Sequence, residues 1–84
     1  MLFVFGQDTK AGFWMKDTMI PLSIAFIAGD GTILETQEME PLSEELHTPA
    51  QAYRYALEVN QGWFERHGLG AGDRVEIPAD AKAE

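Results

Sequence analysis

The chain has 84 residues, with 14 acidic and 6 basic side chains, a formal net charge of −8 and no cysteine. A chain this short forms one domain that buries only about 60% of the surface its unfolded form exposes, and it must hold itself by packing without disulfides. The missing cysteines exclude thiol catalysis, thiolate zinc sites and iron–sulfur ligation, and the acid excess argues against nucleic acid, whose affinity rests on basic side chains, and against docking on anionic lipid.

Met1-Leu2-Phe3-Val4-Phe5 has neither the basic flank nor the length of a signal peptide, and no stretch approaches the roughly 20 apolar residues that cross a bilayer. Leu2 to Phe5 reads as a strand buried on both faces and bounded by Gly6, which requires neighbours on either side. Gln7 to Gly12 is polar and ends on glycine, a loop. Phe13 to Lys16 is extended again, with Phe13 and Met15 on one face and Trp14 and Lys16 on the other. Leu22, Ile24 and Phe26 alternate with Ser23, Ala25 and Ile27, and Ala28-Gly29-Asp30-Gly31 then supplies a tight hairpin turn before a return strand over Thr32 to Met39.

Glu40 to Pro49 is acidic and bracketed by prolines, an exposed loop with one helical turn expected at Ser43 to Leu46. Tyr53, Tyr55, Leu57 and Val59 alternate with Arg54, Ala56, Glu58 and Asn60, which predicts a half-buried strand. Asn60 is placed to cap a short helix over Gln61 to His67 that stops at Gly68. Gly70-Ala71-Gly72-Asp73 is a turn, Arg74 to Ile77 a last strand, and the alanine-rich, charged stretch 78–84 a disordered tail. Five or six short strands with one short helix near residues 61–67 predict a mainly β, antiparallel domain over residues 1–77, β-sandwich-like or a partly open barrel.

Four blocks in this order and spacing carry a resemblance: Leu2-Phe3-Val4-Phe5; Phe13-Trp14-Met15-Lys16-Asp17-Thr18 with Ile20-Pro21-Leu22-Ser23-Ile24-Ala25-Phe26; Tyr55-Ala56-Leu57-Glu58-Val59-Asn60-Gln61-Gly62-Trp63-Phe64; and Gly72-Asp73. Together they resemble domain of unknown function 192 (DUF192) over residues 1–77. The resemblance implies a small, β-rich, often exported bacterial or archaeal domain with no settled activity. It also implies a further extended segment and short helical region ahead of Leu2, so the chain reads as truncated at the front. Strand edges left open in that way favour homo-oligomers.

No complete set of nucleophile, base and oxyanion donors can be assembled from the sequence. The candidate ligand-binding group is Trp14, Lys16, Arg54, Glu58 and Asn60, an aromatic floor with charges that set orientation. A plainer reading makes Lys16 and Glu58 a partly buried ion pair and Asn60 a helix cap. Glu58 with Asp17 or Asp73 offers the paired carboxylates of a hydrolase. His47 and His67 lack the spacing of a zinc helix motif, so neither a metal nor a cofactor is expected. Gly29-Asp30-Gly31 and Gly68-Leu69-Gly70-Ala71-Gly72 do not precede a helix as phosphate loops do, and both read as turns. The expectation is a non-enzymatic binding or accessory domain for a small polar ligand or an envelope component. A hydrolase using Glu58 and a structural interaction module are the alternatives.

Overall fold

The computed structural model describes residues 1–78, and the tail expected over 79–84 lies outside the described residues. Four strands and one short helix follow one another: β1 (Leu2–Thr9), β2 (Leu22–Ile27), β3 (Ile33–Met39), β4 (Tyr53–Asn60) and α1 (Trp63–Arg66). The strands form one antiparallel sheet in the order β1-β4-β2-β3, so the sheet stays open, with β1 and β3 at its edges. The fold is mainly β, as its alternating apolar patterns require.

The strand that is buried on both faces is β2, not β1. Held between β3 and β4, β2 sends Ile24 and Phe26 into a cluster with Met15, Met39, Tyr53 and Ala56, and Ala25 and Ile27 into a second cluster with Ile33 and Phe64. Leu2 to Phe5 are only half-buried, because β1 has a single neighbour, β4. A short run of Leu, Phe and Val cannot distinguish a central strand from an edge strand whose side chains still reach the core.

β1 also runs further than its composition suggests. Pairing advances from Val4 to Thr9 on β1 while β4 moves only from Tyr55 to Tyr53. The surplus bulges outward as exposed Gly6, Gln7 and Asp8, and an Arg54–Asp8 ion pair (Nε to Oδ1, 3.0 Å) ties it back to β4. A smaller bulge on β3 sets Ile27 opposite Ile33 and Phe26 opposite Glu35, which lets Ile33 serve one cluster while Leu34 packs against the other.

Two expected strands shrink to single bridges, Phe13 with His47 and Thr32 with Arg74. Phe13 and Met15 still face the first cluster while Trp14 and Lys16 face solvent, so the alternation survives without a strand. No helical turn forms at Ser43 to Leu46. Instead Ser43 N–H donates to the Glu40 carbonyl (3.3 Å) and Glu45 N–H to the Ser43 hydroxyl (3.2 Å). The helix occupies only Trp63–Arg66, and its N-cap is Gly62 at φ 85, with Asn60 left as the last residue of β4. A glycine is needed there because the chain turns into the helix through the left-handed region.

Candidate functional site

β4 distributes the predicted polar residues along its length. Arg54 and Glu58 are four residues apart on one strand, about 13 Å at the usual strand rise, and Arg54 is occupied by Asp8. Glu58 sits in a cross-sheet row with Met1 on β1's side, Ile24 on β2 and Gln37 on β3. No second carboxylate occupies that row. Burial among these neighbours raises the Glu58 pKa above its ordinary 4.5, and the Met1 ammonium draws it partway back. Asp73 belongs to another part of the molecule, where its backbone carbonyl accepts from Ile33 N–H and its carboxylate from Gly70 N–H (2.8 Å).

Lys16 is exposed, and the ion pairs among the described residues are Arg54–Asp8 and Arg74–Asp30, so the expected Lys16–Glu58 pair is not formed. Of the five predicted residues, the structure brings Trp14 and Lys16 together on one outward-facing segment. Arg54, Glu58 and Asn60 lie along β4, with Arg54 turned to Asp8.

What surrounds Trp14 is a second loop. Phe13 and His47 exchange both backbone hydrogen bonds (2.9 and 2.8 Å), and Leu42 N–H donates to the Thr18 carbonyl (2.8 Å). Residues 13–18 and 42–47 therefore run antiparallel and are fastened at both ends. Behind Phe13, Gly12 lets the loops close: a Cβ there would fall 2.7 Å from both Leu46 Cγ and Thr48 Cγ2. Gly12 and Trp14 lie on the same side of this extended stretch, so Leu46 and Trp14 share a surface. Trp14, Met19, Ile20, Leu42 and Leu46 are each between 51% and 78% exposed. Exposed Asp17, Glu44 and Glu45 lie on the same two loops and supply an acidic rim, with Lys16 as the cation among them, whereas the Glu40 carboxylate accepts from Gln61 Nε2 (3.4 Å).

Sequence reasoning singled out Trp14 and Lys16 but missed Met19, Ile20, Leu42 and Leu46. The available signal was a leucine directly after Pro41 in an otherwise acidic loop, together with a Met-Ile pair just before Pro21.

The second buried polar feature is a clamp. The Ser23 hydroxyl donates to Glu38 Oε2 (2.8 Å) and accepts from Gly62 N–H (3.0 Å), joining β2, β3 and the start of α1. Ser23 is buried, so its hydroxyl serves to join these elements and does not face solvent. His67 is engaged elsewhere, stacked on Trp63 at 4.0 Å with a ring nitrogen 2.8 Å from the Trp63 carbonyl. Among the described residues, no three His, Asp or Glu side chains converge as metal ligands, and no helix is long and apolar enough to cross a membrane.

Among the surface recesses of the described residues, two are prominent. One, of about 570 Å³, lies between the β2–β3 turn, Tyr55 and the Arg74–Pro78 segment; the other, of about 400 Å³, is bordered by Glu38, Glu40, Gln61, Gly62 and Glu65. Neither is lined by Trp14, Lys16 or Glu58.

None of the curated proteins matches the chain. Among solved structures, a candidate transcription regulator from Sinorhizobium meliloti 1021 superposes with a TM-score of 0.86 at 42% identity, over 90% of this chain and 60% of that one. A protein of unknown function from Novosphingobium aromaticivorans DSM 12444 gives 0.85 at 33% identity, over 92% and 56%. The chain thus spans less than two thirds of the length of either protein. The sequence profile of DUF192, described as an uncharacterized ACR, matches residues 1–77, and the chain belongs to that family.

Proposed function

We propose that this domain is a non-enzymatic binding or accessory module that meets a partner through the platform formed by the two fastened loops, with Trp14 and Lys16 among its contact residues. The observation that carries this reading is the set of three large apolar side chains, Trp14, Leu42 and Leu46, each more than half exposed on loops pinned at Phe13–His47 and Thr18–Leu42, with Met19 and Ile20 exposed just beyond Thr18. Scattered exposed leucines are ordinary, whereas a contiguous apolar surface with a polar rim is a common mark of protein contact. Pinning the backbone in advance lowers the ordering cost of association. The description of the S. meliloti protein as a candidate transcription regulator, set beside a net charge of −8, supports contact with protein over contact with DNA.

A second reading keeps the small polar ligand. It rests on the recess beside the β2–β3 turn, whose volume lies within the range of small-molecule sites and whose wall carries Asp30, Arg74 and Tyr55. A hydrolase gains no support, since the raised pKa of Glu58 has no partner carboxylate in its row.

The readings part in one experiment. Trp14→Ser combined with Leu46→Ser should leave the far-ultraviolet circular dichroism unchanged and abolish binding of a partner first identified in host extract and then purified. Retained affinity in that variant overturns the first reading. Metabolite-induced thermal stabilisation that disappears in Arg74→Ala would establish the second.

A further inference from the structure

Leu42 pays a conformational cost for its position. Pro41 and Leu42 are the central residues of a turn closed by Ser43 N–H to the Glu40 carbonyl, and Leu42 has φ 59, the geometry of a type II turn. The third position of such a turn favours glycine or asparagine, because a Cβ in the left-handed region crowds the backbone. It is the only non-glycine residue with positive φ among the described residues, and its side chain is 56% exposed. Burial therefore does not repay the strain within the domain, and an observed outlier of this kind is a reason to look for function at that residue.

The rim identifies the partner. Exposed Asp17, Glu44 and Glu45 share the two loops with the apolar side chains, against Lys16, within a molecule of net charge −8. A second copy of the chain would bring the same acidic rim against its own, and an anionic membrane or nucleic acid would be repelled in the same way. The surface complements a chain that alternates aliphatic or aromatic side chains with lysine or arginine.

We infer that the platform docks a cationic, apolar segment of another protein, with Leu42 and Trp14 as anchors and the acidic rim selecting positive charge. This rests on the reading of the platform as a contact surface and adds the chemistry of what it receives.

The test uses fluorescein-labelled amphipathic peptides of one length that share the same leucines and carry lysine, glutamine or glutamate at the polar positions. Binding to the full chain is read by fluorescence anisotropy at low and high salt. The key variant is Leu42→Gly, which removes the anchor and relieves the strained turn, so the fold is retained or strengthened. The lysine peptide should bind tightest, weaken as salt rises, and lose affinity about tenfold in Leu42→Gly, the scale of an interface anchor. Equal binding of the glutamine peptide, with the same loss in Leu42→Gly, would overturn the choice of a cationic partner and keep the contact surface. Binding that is absent, or indifferent to Leu42→Gly, would overturn both. A dimer of the free protein in sedimentation that Leu42→Gly dissolves would assign the platform to a second copy and overturn the inference.

Discussion

At the scale of single residues, polar atoms and backbone angles decide more than side-chain size. Gly31 has φ 92, and a Cβ placed on it would lie 2.3 Å from the Val75 carbonyl oxygen, whereas a Cβ on Gly29 meets nothing within 4 Å. Gly31→Ala is therefore expected to cost about 2 kcal/mol in urea unfolding, combining left-handed strain with displacement of the 74–75 segment, while Gly29→Ala stays near neutral. Ser23→Ala is expected to cost about 1–2 kcal/mol, because it strips the Gly62 N–H of its acceptor. Glu58 sets a pH dependence. Its raised folded-state pKa means the folded protein holds that proton more firmly, so the associated stability is complete below the ordinary value of 4.5 and is lost as pH rises through the folded value. Glu58→Gln should therefore gain stability relative to the parent as pH goes from 4 to 7, which urea midpoints at the two pH values measure; a difference that does not change with pH would refute the assignment. Asp30 behaves oppositely: Thr32 N–H holds its pKa below 3.8, and its contribution is lost only as pH falls through that lowered value.

At the scale of elements, legibility followed the strength of the local pattern. The β2–β3 hairpin and β4 could be read because alternation and turn chemistry agree over whole strands. Phe13 to Lys16 and Arg74 to Ile77 have the same alternation and form only single bridges, since whether an extended segment finds a neighbour depends on tertiary placement, which local pattern does not encode. The length of β1 was hidden for a related reason: Gly6, Gln7 and Asp8 read as a loop from composition, yet they continue β1 to Thr9 as an outward bulge. The Arg54–Asp8 pair that spans the bulge is partly exposed, so Arg54→Ala should cost under about 1 kcal/mol. Of the candidate site, Trp14 and Lys16 were legible from alternation alone. Leu42 and Leu46 were not, because the contact of the 40–49 loop with residues 12–18 spans a separation that no sequence window covers.

At the scale of the whole molecule, a small open sheet carries two thin apolar clusters, one under the Phe13–Met15 segment and one under α1 and the 69–77 segment. A net charge of −8 on so small a body disfavours the compact state through self-repulsion. The thermal midpoint should accordingly rise between low and moderate sodium chloride as screening shortens the reach of that repulsion to about 10 Å at 0.1 M salt; a falling midpoint would contradict this. The platform's acidic rim belongs to the same field, which connects the charge of the chain to its choice of partner. The central claim is that Trp14 stands open on a pinned platform until a partner covers it, and acrylamide quenching of Trp14 emission in a Trp63→Phe variant measures that directly. The account predicts efficient quenching in the free protein and strong shielding once the lysine peptide is bound. Trp14 shielded in the free protein, or equally quenched with and without the bound peptide, would contradict it.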